Sequence, residues 1–555
     1  MEIKTNEALS LIPEKSNHLI QQNFQVFRSL ITQAKNLAEQ GKHAEAVVYA
    51  QMAALYGFWR HSGLFVSPEL ENILHTIGLK TIPAKIYPRH NKLPGKPRNV
   101  MHVASAVQSI GGLGRMIWRW IEQDTESSHS LVLTQQASSY VPSIIRDAVY
   151  NSGGKIYSLN ESTIGGIFSW AKRLRKIAAS ADFVVLHIWP DDAIPLLAFA
   201  NKEQSPPVLF LDHADHGFWL GASISDMVIN LRCSGMHLSQ ERRGIESERV
   251  ALLPIILSPT QRTLSRTEAK RKLNIDENSV LLFSVARAPK YKTIDGVNFA
   301  DAHIPLLKKY DNAVLVVIGP GDSEDWSAAV ERTEGRIKIF PEREDTAVFY
   351  QAADIYVDSF PIISITSLLE AGSYGVPLVT RYPYSDACGI LGSDAPGIDA
   401  NMIRANNLEE YTTILSRLVE DKAYRLSLGE ATRKQICDEH LGSNWQSSLE
   451  EIYARATSLP RLTAKLDQKD EMFLGEPDVF LARIFWHACG HDKIDPENLK
   501  KWNMMPFAER FRFWTKLIKM NGFGKIGWID VLMPQWLYWN FRKYVIESVK
   551  KVYKA

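Results

Sequence analysis

The sequence is poor in the features that mark secreted, membrane-spanning and nucleic-acid-binding proteins. It has four cysteines in 555 residues, at the widely separated positions 233, 388, 437 and 489. Such spacing fits a reducing compartment better than a disulfide framework. It has no apolar run of the ~18 residues needed to cross a membrane, and residues 1–6 lack the basic-then-apolar pattern of a signal peptide. We therefore expect a cytoplasmic protein.

Neither sign of charge is in large excess, because 64 Lys and Arg residues are balanced by 62 Asp and Glu residues, for a net charge of +2. This balance gives no overall attraction to nucleic acid, and we expect no nucleic-acid partner. Only His487, Cys489 and His491 approach the spacing of metal ligands. A fourth clustered ligand is missing, so we expect no metal site.

What is present is the composition of a globular protein, 45% apolar and 23% charged. A chain of this length should contain more than one domain. Small and apolar residues at helical spacing flank Gly41, which predicts one helical hairpin of the tetratricopeptide type within residues 1–95. One such unit does not form an independent array, so it should pack on the next domain; docking a protein acceptor is the alternative.

From residue 96 to 457, predicted strands alternate with predicted helices, which indicates parallel sheets joined by right-handed crossovers. The fold class is therefore α/β, with two doubly wound, Rossmann-like domains at 96–255 and 256–457. The first contains predicted strands at 99–105, 130–134, 183–187, 208–212, 227–230 and 250–253. The second contains predicted strands at 280–285, 313–318, 336–340, 355–357 and 378–380. Two such domains in tandem leave a cleft between their carboxyl-end loops, where ligands bind.

Residues 358–380 predict a strand, a loop, a short helix and another strand. Ser364 and Thr366 are candidates to cap the helix, and Gly375 is placed to end it. The N-terminus of such a helix, just past a parallel strand, points free N–H groups at the cleft and suits a phosphate. Glu370 is placed to accept from a ribose hydroxyl. The alternative is an ordinary αβ unit with a surface Glu.

Cations and glycines should face the same cleft. Arg287, Lys290 and Lys292 follow the first strand of the second domain, where fixed positive charge would stabilise a diphosphate leaving group. Gly111 and Gly112 open a glycine-rich turn in the first domain and let the backbone approach a ligand closely. This turn is not GxGxxG, so a nicotinamide site is not expected.

The segment 212–219 follows a buried strand and holds two His and two Asp residues between apolar neighbours. A histidine near neutral pKa can act as a base, and an aspartate can orient it. We predict His213, Asp215 and His216 as catalytic residues. They are too adjacent to converge on zinc.

Residues 99–455 resemble GT-B nucleotide-sugar glycosyltransferases in the glycine-rich loop, the spacing of Arg287 and Lys292, the loop 318–321, the segment 352–359 and Glu370 leading into residues 375–379. In the large retaining bacterial family, group 1, an Arg and a Lys at this spacing bind the donor diphosphate, and a Glu matching Glu370 binds the ribose. That family usually has another Glu eight residues earlier, on the donor sugar. Ile362 stands there in this chain, which leaves the stereochemistry and the donor sugar open.

Residues 365–370 are also similar to the phosphate loop of O-GlcNAc transferase-like enzymes, with Thr366 and Ser367 as the paired hydroxyl residues before an acid. Lys292 matches the diphosphate lysine of that family. Those enzymes invert and use protein acceptors. Both resemblances imply the GT-B arrangement and a nucleotide-sugar donor, while stereochemistry and acceptor differ between them.

These resemblances imply a metal-independent glycosyltransferase that needs no cofactor and uses a UDP or GDP sugar. Arg287, Lys292, Thr366 and Ser367 would hold the diphosphate, and the acceptor would enter from the lobe with Gly111 and Gly112. We expect a role in cell-surface polysaccharide synthesis, with a glycan acceptor. The alternatives are a protein O- or N-glycosyltransferase, a non-catalytic nucleotide-sugar-binding module and an epimerase.

The last region, 458–555, is dense in aromatic residues and cations, notably at 510–519 and 536–543. Such a composition suits a membrane interface, with rings at headgroup depth and cations on anionic lipid. We predict a helical extension in which residues 500–555 meet the inner face of a membrane, making the acceptor a lipid-linked glycan. The alternative is a helical cap on the enzyme, which favours a protein acceptor.

Overall fold

The computed structural model describes residues 12–83, 97–109, 111–162, 166–258, 260, 262–294, 296–320, 326–462, 470–489, 504–521 and 532–533. Helices come first, then two α/β lobes, then further helices. The predicted class, two parallel-sheet domains with a helical N-terminal region and a helical extension, is confirmed. Among the described residues no helix is both long and apolar enough to cross a membrane. Cys233, Cys388 and Cys437 are free thiols.

Three helices lead the chain: α1 (Ile12–Glu39), α2 (His43–Trp59) and α3 (Pro68–Thr81). Gly41, at φ +75°, makes the turn between the first two, where an L side chain would be strained. The hairpin packs on the first lobe, and its apolar residues share one core with that lobe. Buried Glu71 of α3 accepts hydrogen bonds from the backbone N–H groups of Gly221 and Ser223, which fastens the helices to the lobe.

The first lobe is a seven-stranded parallel sheet in the order β3-β2-β1-β4-β5-β6-β7. Its strands are β1 (Arg98–Ala104), β2 (Ser127–Leu133), β3 (Ile156–Ser158), β4 (Phe183–His187), β5 (Val208–Asp212), β6 (Met227–Asn230) and β7 (Val250–Leu252). Its helices are α4 (Gly112–Gln123), α5 (Ser143–Asn151), α6 (Leu159–Ser162), α7 (Ile167–Ala178), α8 (Ile194–Phe199) and α9 (Cys233–Glu241). The short strand β3 was not predicted from the sequence.

The second lobe is a six-stranded parallel sheet in the order β10-β9-β8-β11-β12-β13. Its strands are β8 (Val280–Val285), β9 (Ala313–Ile318), β10 (Ile337–Phe340), β11 (Ile355–Val357), β12 (Leu378–Arg381) and β13 (Ile403–Ala405). Its helices are α10 (Arg266–Lys272), α11 (Phe299–Lys309), α12 (Ser327–Arg332), α13 (Ala347–Ala352), α14 (Ile365–Ser373), α15 (Leu408–Glu420) and α16 (Lys422–His440). Short 3-10 turns lie at Ala288–Tyr291 and Asp386–Leu391.

After the second lobe the chain returns to the first. Helix α17 (Gly442–Ser458) buries Trp445, Leu449 and Tyr453 against the first sheet and α4. The indole N–H of Trp445 donates to the carbonyl of Pro254 at 2.9 Å, and Arg98 of β1 pairs with Glu450 through two hydrogen bonds of 2.9 and 2.7 Å. The predicted range 256–457 therefore contains a helix that completes the core of the first lobe.

Helix α18 (Glu476–Cys489) lies where the N-terminal helices and both lobes meet. Its buried Asp478 accepts hydrogen bonds from His61 at 2.7 Å and from Arg242 at 2.9 Å. Phe485 and Leu481 pack on Leu391 of the second lobe. A further helix, α19 (Phe507–Asn521), follows buried Met504 and Met505, which join the core of the first lobe. The aromatic stretch 536–543 lies outside the described residues.

Candidate functional site

A cavity of 450 Å³ lies between the carboxyl ends of the two sheets. Both lobes line it, as expected for tandem parallel sheets. The first lobe contributes Gln108, the turn 111–114, Arg115 and Trp189, and the second contributes Arg287, Lys290, Tyr350, Ser364, Thr366 and Ser367. Predicted site residues from both domains, Gly111, Gly112, Arg287, Thr366 and Ser367, therefore lie around one cavity.

The second lobe turns the N-terminus of α14 toward this cavity. Ser364 is the N-cap residue, although its side chain makes no cap hydrogen bond; its hydroxyl instead lies 3.1 Å from that of Ser367. Buried Asp358, at the end of β11, accepts from the N–H groups of Ser359 and Ser364 at 2.9 and 3.0 Å, which fixes the loop. Gly375 has φ +72° past the end of the helix, where the sequence predicted the stop. The first-turn N–H groups and the helix dipole make this end suited to an anion.

The glycine-rich turn of the first lobe contacts that helix N-terminus. A Cβ on Gly112 would lie 3.0 Å from Oγ1 of Thr366, and a Cβ on Gly114 would lie 2.0 Å from the carbonyl oxygen of Gln108. Gly111 has φ +113°, which disfavours L side chains. A side chain at Gly112 would therefore crowd the Thr366 hydroxyl of the facing lobe at the mouth of the cavity.

Four cations line the cavity, and Arg115 and Arg343 among them are paired with Glu370 and Asp345. The other two, Arg287 and Lys290, are not quite the predicted pair. Arg287 is exposed and donates to Oε1 of Gln108 at 3.3 Å. Lys290 donates to the carbonyl of Ile363 at 2.6 Å, and burial, with the charges of Arg287 and Arg232, lowers its pKa to about 8 while Asp358 opposes the shift. Lys292 is exposed and is not part of the cavity lining. The 3-10 turn after β8 brings Lys290 inward, a detail that the spacing of the three cations does not reveal.

Glu370 lies behind the cavity, held by two arginines of the facing lobe. Its Oε1 lies 2.5 Å from Nη1 of Arg115 and 3.0 Å from Nη2 of Arg119, both on α4. The side chains of Glu370 and Arg119 are only 11% and 10% exposed. The predicted ribose acceptor is thus engaged in an ion pair between the lobes, which we call the latch (Arg115, Arg119 and Glu370). Arg115 and Arg119 are 255 and 251 residues from Glu370 in the sequence. The sequence alone did not predict that they would pair.

The predicted catalytic residues at 213–216 lie outside the cavity lining. Burial alone would raise the pKa of Asp215, but Arg232, at 2.5 and 2.8 Å, holds it well below its usual range. Arg232 also donates to the carbonyls of Ile390 and Gly392, so this pair joins the lobes. His216 stacks on Phe485 of α18, with ring centroids 5.6 Å apart. His213 is part-buried at the end of β5, and its Nδ1 lies 3.2 Å from the carbonyl of Leu211.

Ile362, eight residues before Glu370, is an apolar residue in apolar surroundings. Ile362 packs against the cluster that contains Leu481, Ile484 and Phe485 of α18. Helix α18 therefore covers the part of the cleft next to the cavity. Nowhere in the described part of the chain do three His, Cys, Asp or Glu residues form a group that could hold a metal ion.

Comparisons with known proteins agree with this geometry. Residues 265–435 match the family model for glycosyl transferases group 1. The D-inositol 3-phosphate glycosyltransferase of Thermobifida fusca (strain YX) is 23% identical over 209 residues, which are 34% of this chain and 45% of the relative. The chain thus spans less than half of the length of that curated relative.

Among solved structures, Anabaena Alr3699/HepE in complex with UDP has a TM-score of 0.50 at 13% identity, over 65% of this chain and 100% of that one. A mutant O-GlcNAc transferase of Thermobaculum terrenum aligns over 79% of this chain and 84% of that one, with 15% identity and a TM-score of 0.48. The predicted resemblance to group 1 glycosyltransferases is confirmed for the segment that carries Arg287, Lys290 and Glu370, and the two-lobed fold is GT-B.

Proposed function

We propose that this protein is a glycosyltransferase that moves a sugar from a nucleotide-diphosphate donor to a glycan acceptor in cell-surface polysaccharide synthesis. The observation that carries the proposal is the cavity itself, where a helix N-terminus, Arg287 and Lys290 of the family-matched segment face a glycine-rich turn. Neither lobe alone makes this arrangement. It is one that binds a diphosphate and stabilises it as a leaving group.

In this proposal the diphosphate contacts Arg287, Lys290 and the N–H groups of Thr366 and Ser367. Lys290 replaces Lys292 as the inner cation because it lines the cavity and Lys292 does not. Glu370 accepts from the ribose once nucleotide binding has released it from the latch. The two cations and the helix dipole supply the positive charge that some glycosyltransferases take from a metal, and we propose that this enzyme is metal-independent.

The test is a thermal-shift series with UDP, GDP, ADP and their common sugars, with and without EDTA. We expect stabilisation by one nucleotide class through mass action, kept in EDTA and weakened in Lys290→Gln. Lys292→Gln is the matched control, since it removes the same charge from an exposed position two residues away. Release of the nucleotide from its sugar, measured on the same panel, then demonstrates transfer to water or acceptor. A flat response to every nucleotide would contradict the proposal.

One observation favours a second candidate, a nucleotide-sugar-binding module without turnover. Ile362 occupies the position of the family's donor-sugar Glu and packs beneath α18. An apolar side chain there cannot hydrogen-bond a sugar hydroxyl. Nucleotide binding by the full chain without release of nucleotide from any donor on the panel would favour this module over the enzyme.

We also propose that the C-terminal extension binds an anionic lipid surface, which would place the enzyme at the inner face of the membrane with a lipid-linked acceptor. In α19, Phe507 and Phe511 are 59% and 46% exposed, and Arg512 is exposed beside them. Rings and cations together suit the headgroup region. The full chain should co-sediment with phosphatidylglycerol vesicles and not with neutral ones. Binding should fall in the double variant Phe507→Ser/Phe511→Ser. It should persist in Leu79→Ser, a control at a 49% exposed residue of α3. Equal binding by the wild type, the double variant and the control would refute the proposal.

A further inference from the structure

Three buried histidines form a continuous chain across the first sheet. They lie on the neighbouring strands β4, β1 and β2, and each is 0% exposed. Nε2 of His187 is 2.9 Å from Nδ1 of His102, and Nε2 of His102 is 3.0 Å from Nδ1 of His129. Nε2 of His129 ends the chain 3.0 Å from the backbone carbonyl oxygen of Asp124. We call His187, His102 and His129 the histidine chain.

The carbonyl of Asp124 sets the direction of every hydrogen bond in the histidine chain. A carbonyl oxygen only accepts, so Nε2 of His129 must carry a hydrogen. The neutral ring then accepts at Nδ1 from the Nε2–H of His102, which in turn accepts at Nδ1 from the Nε2–H of His187. Burial lowers the pKa of all three, that of His187 to about 3, which favours the neutral form of the rings. Nδ1 of His187 is left as a buried acceptor, and among the described residues it has no hydrogen-bond partner.

This acceptor lies at the edge of the sheet where the cavity opens. His187 is the last residue of β4, and Trp189, two residues later, lines the cavity. His213 follows the neighbouring strand β5, which pairs with β4 through Phe210 opposite Leu186. It therefore lies at the same edge of the sheet as His187, where its charge lowers the pKa of His187. Since Nδ1 of His213 donates to Leu211, its Nε2 is also an acceptor when the ring is neutral. Two imidazole lone pairs therefore lie on the first-lobe side of the cleft.

The far end of the histidine chain has a place for a proton. Oδ2 of buried Asp124 lies 3.5 Å from Nε2 of His129 and accepts from the hydroxyl of Tyr453 at 3.1 Å. Tyr453 is on α17, and the guanidinium of Arg98 lies over its ring at 4.4 Å. The structure thus provides a buried carboxylate in line with three imidazoles whose hydrogens all point toward it.

We propose that the histidine chain is a proton relay that takes up the proton released by the acceptor hydroxyl during sugar transfer and returns it after product release; this role rests on the proposed function. The hydroxyl O–H bond breaks, its electron pair forms the new bond to the sugar, and the sugar–diphosphate bond breaks. The proton bonds to Nε2 of His213 and passes to Nδ1 of His187. Each ring of the chain then takes a proton on Nδ1 and gives one from Nε2, and Oδ2 of Asp124 receives the last. Reverse hops restore the chain after product release.

His187, His102 and His129 are positioning residues in this scheme, so the test needs readouts that packing alone would not move. The first is nitrogen-15 NMR of the full chain labelled at its histidine rings, between pH 6 and 8. We expect the Nε2–H tautomer for all three rings, and His102→Gln should release His187 from that tautomer. A hydrogen on Nδ1 of His187, or a positively charged ring in the chain, would overturn the relay.

The second readout is the rate of nucleotide release. Gln at position 102 keeps one donor and one acceptor, but an amide does not carry protons between them. His102→Gln should lower kcat about 10- to 100-fold, within the range of general-base contributions, with KM and nucleotide binding unchanged and the pH profile altered. His303→Gln is the control, because His303 is equally buried and bonded at both nitrogens, to Phe299 and Tyr411.

The outcomes separate the relay from the proposed function. Equal kcat and pH profiles in His102→Gln and His303→Gln would overturn the relay and leave the glycosyltransferase standing. If the wild-type chain binds no nucleotide, that result would contradict the proposed function, and with it the role of the relay in sugar transfer. The tautomers of the rings would still be read by NMR in that case.

Discussion

The latch predicts a strong energetic coupling between the two lobes. The perturbations are Arg119→Met, Glu370→Gln and the two together. Glu370→Gln leaves two guanidinium groups without their anion, and removing one partner of a buried pair costs about 3–5 kcal/mol. Because Arg115 is 23% exposed and keeps some hydration, we expect the lower end of that range, about 3 kcal/mol.

The coupling energy between Arg119 and Glu370 follows from the distance between their charges. At 3.0 Å and an effective dielectric constant of 20, two unit charges attract by about 5–6 kcal/mol. Glu370 is shared with Arg115, and Arg119 keeps a hydrogen bond to the carbonyl of Ile256 at 3.3 Å, so the net coupling should be about 2 kcal/mol, within the range measured for contacting residues. Arg119→Met alone should cost about 2 kcal/mol, and the double variant should be about as unstable as Glu370→Gln.

The measurement is urea unfolding followed by circular dichroism, without nucleotide and with equal slopes checked across variants. The pair Arg271 and Glu277 gives a matched control cycle, because its ions are 2.8 Å apart but 66% and 43% exposed. That cycle should be additive, because solvent screens an exposed ion pair. Additivity of Arg119→Met and Glu370→Gln within about 0.5 kcal/mol would refute the latch.

Three further predictions follow from the site. Lys290→Gln should weaken nucleotide binding about 10- to 100-fold by calorimetry, at 1.4 kcal/mol per tenfold, and Lys292→Gln by less than threefold; the reverse order would contradict the assignment of the inner cation. Gly112→Ala should weaken binding about threefold or more while the melting temperature changes little, because the new methyl group meets Thr366 of the facing lobe; unchanged affinity would show that the turn does not approach the helix. Burial lowers the pKa of His187 to about 3, so this ring is neutral when folded and titrates near pH 6.5 when unfolded. Unfolding therefore takes up a proton, and stability falls as the pH drops from 7 to 5, by about 2 kcal/mol for this histidine. The lowered pKa values of His102 and His129 add to the loss in the same direction. In His102→Gln this loss should be smaller by one histidine's share, and an identical urea-midpoint profile against pH would contradict it.

Much of the fold was available from local patterns. The strand runs at 183–187, 208–212, 280–285 and 313–318 have the predicted bounds, because buried parallel strands are continuous apolar runs between polar turns. The stop of α14 was predicted from Gly375, which acts within a few residues. By contrast, β3 and β13 have only one buried residue each, so they lack the apolar run that marks the equally short β11.

Only those parts of the site that are formed by residues close together in the sequence were predictable. The helix N-terminus, the glycine-rich turn and Arg287 each carry a local signature. Which of Lys290 and Lys292 turns inward depends on a single 3-10 turn. The partners of Glu370 and the alignment of the histidine chain arise from contacts between distant segments, which one sequence does not reveal.

The return of α17 to the first lobe has a consequence for how the chain is made. The first sheet is complete in sequence at Leu252, but the side of its core that Trp445 covers stays open until that residue has been synthesised. At 5–20 residues per second, a ribosome needs roughly 10–40 s to make the intervening chain. During that interval the nascent protein carries an unfinished apolar surface, and the second lobe emerges beside it. Biosynthesis of the first lobe therefore ends after that of the second, and a chain interrupted before α17 presents a surface that chaperones bind.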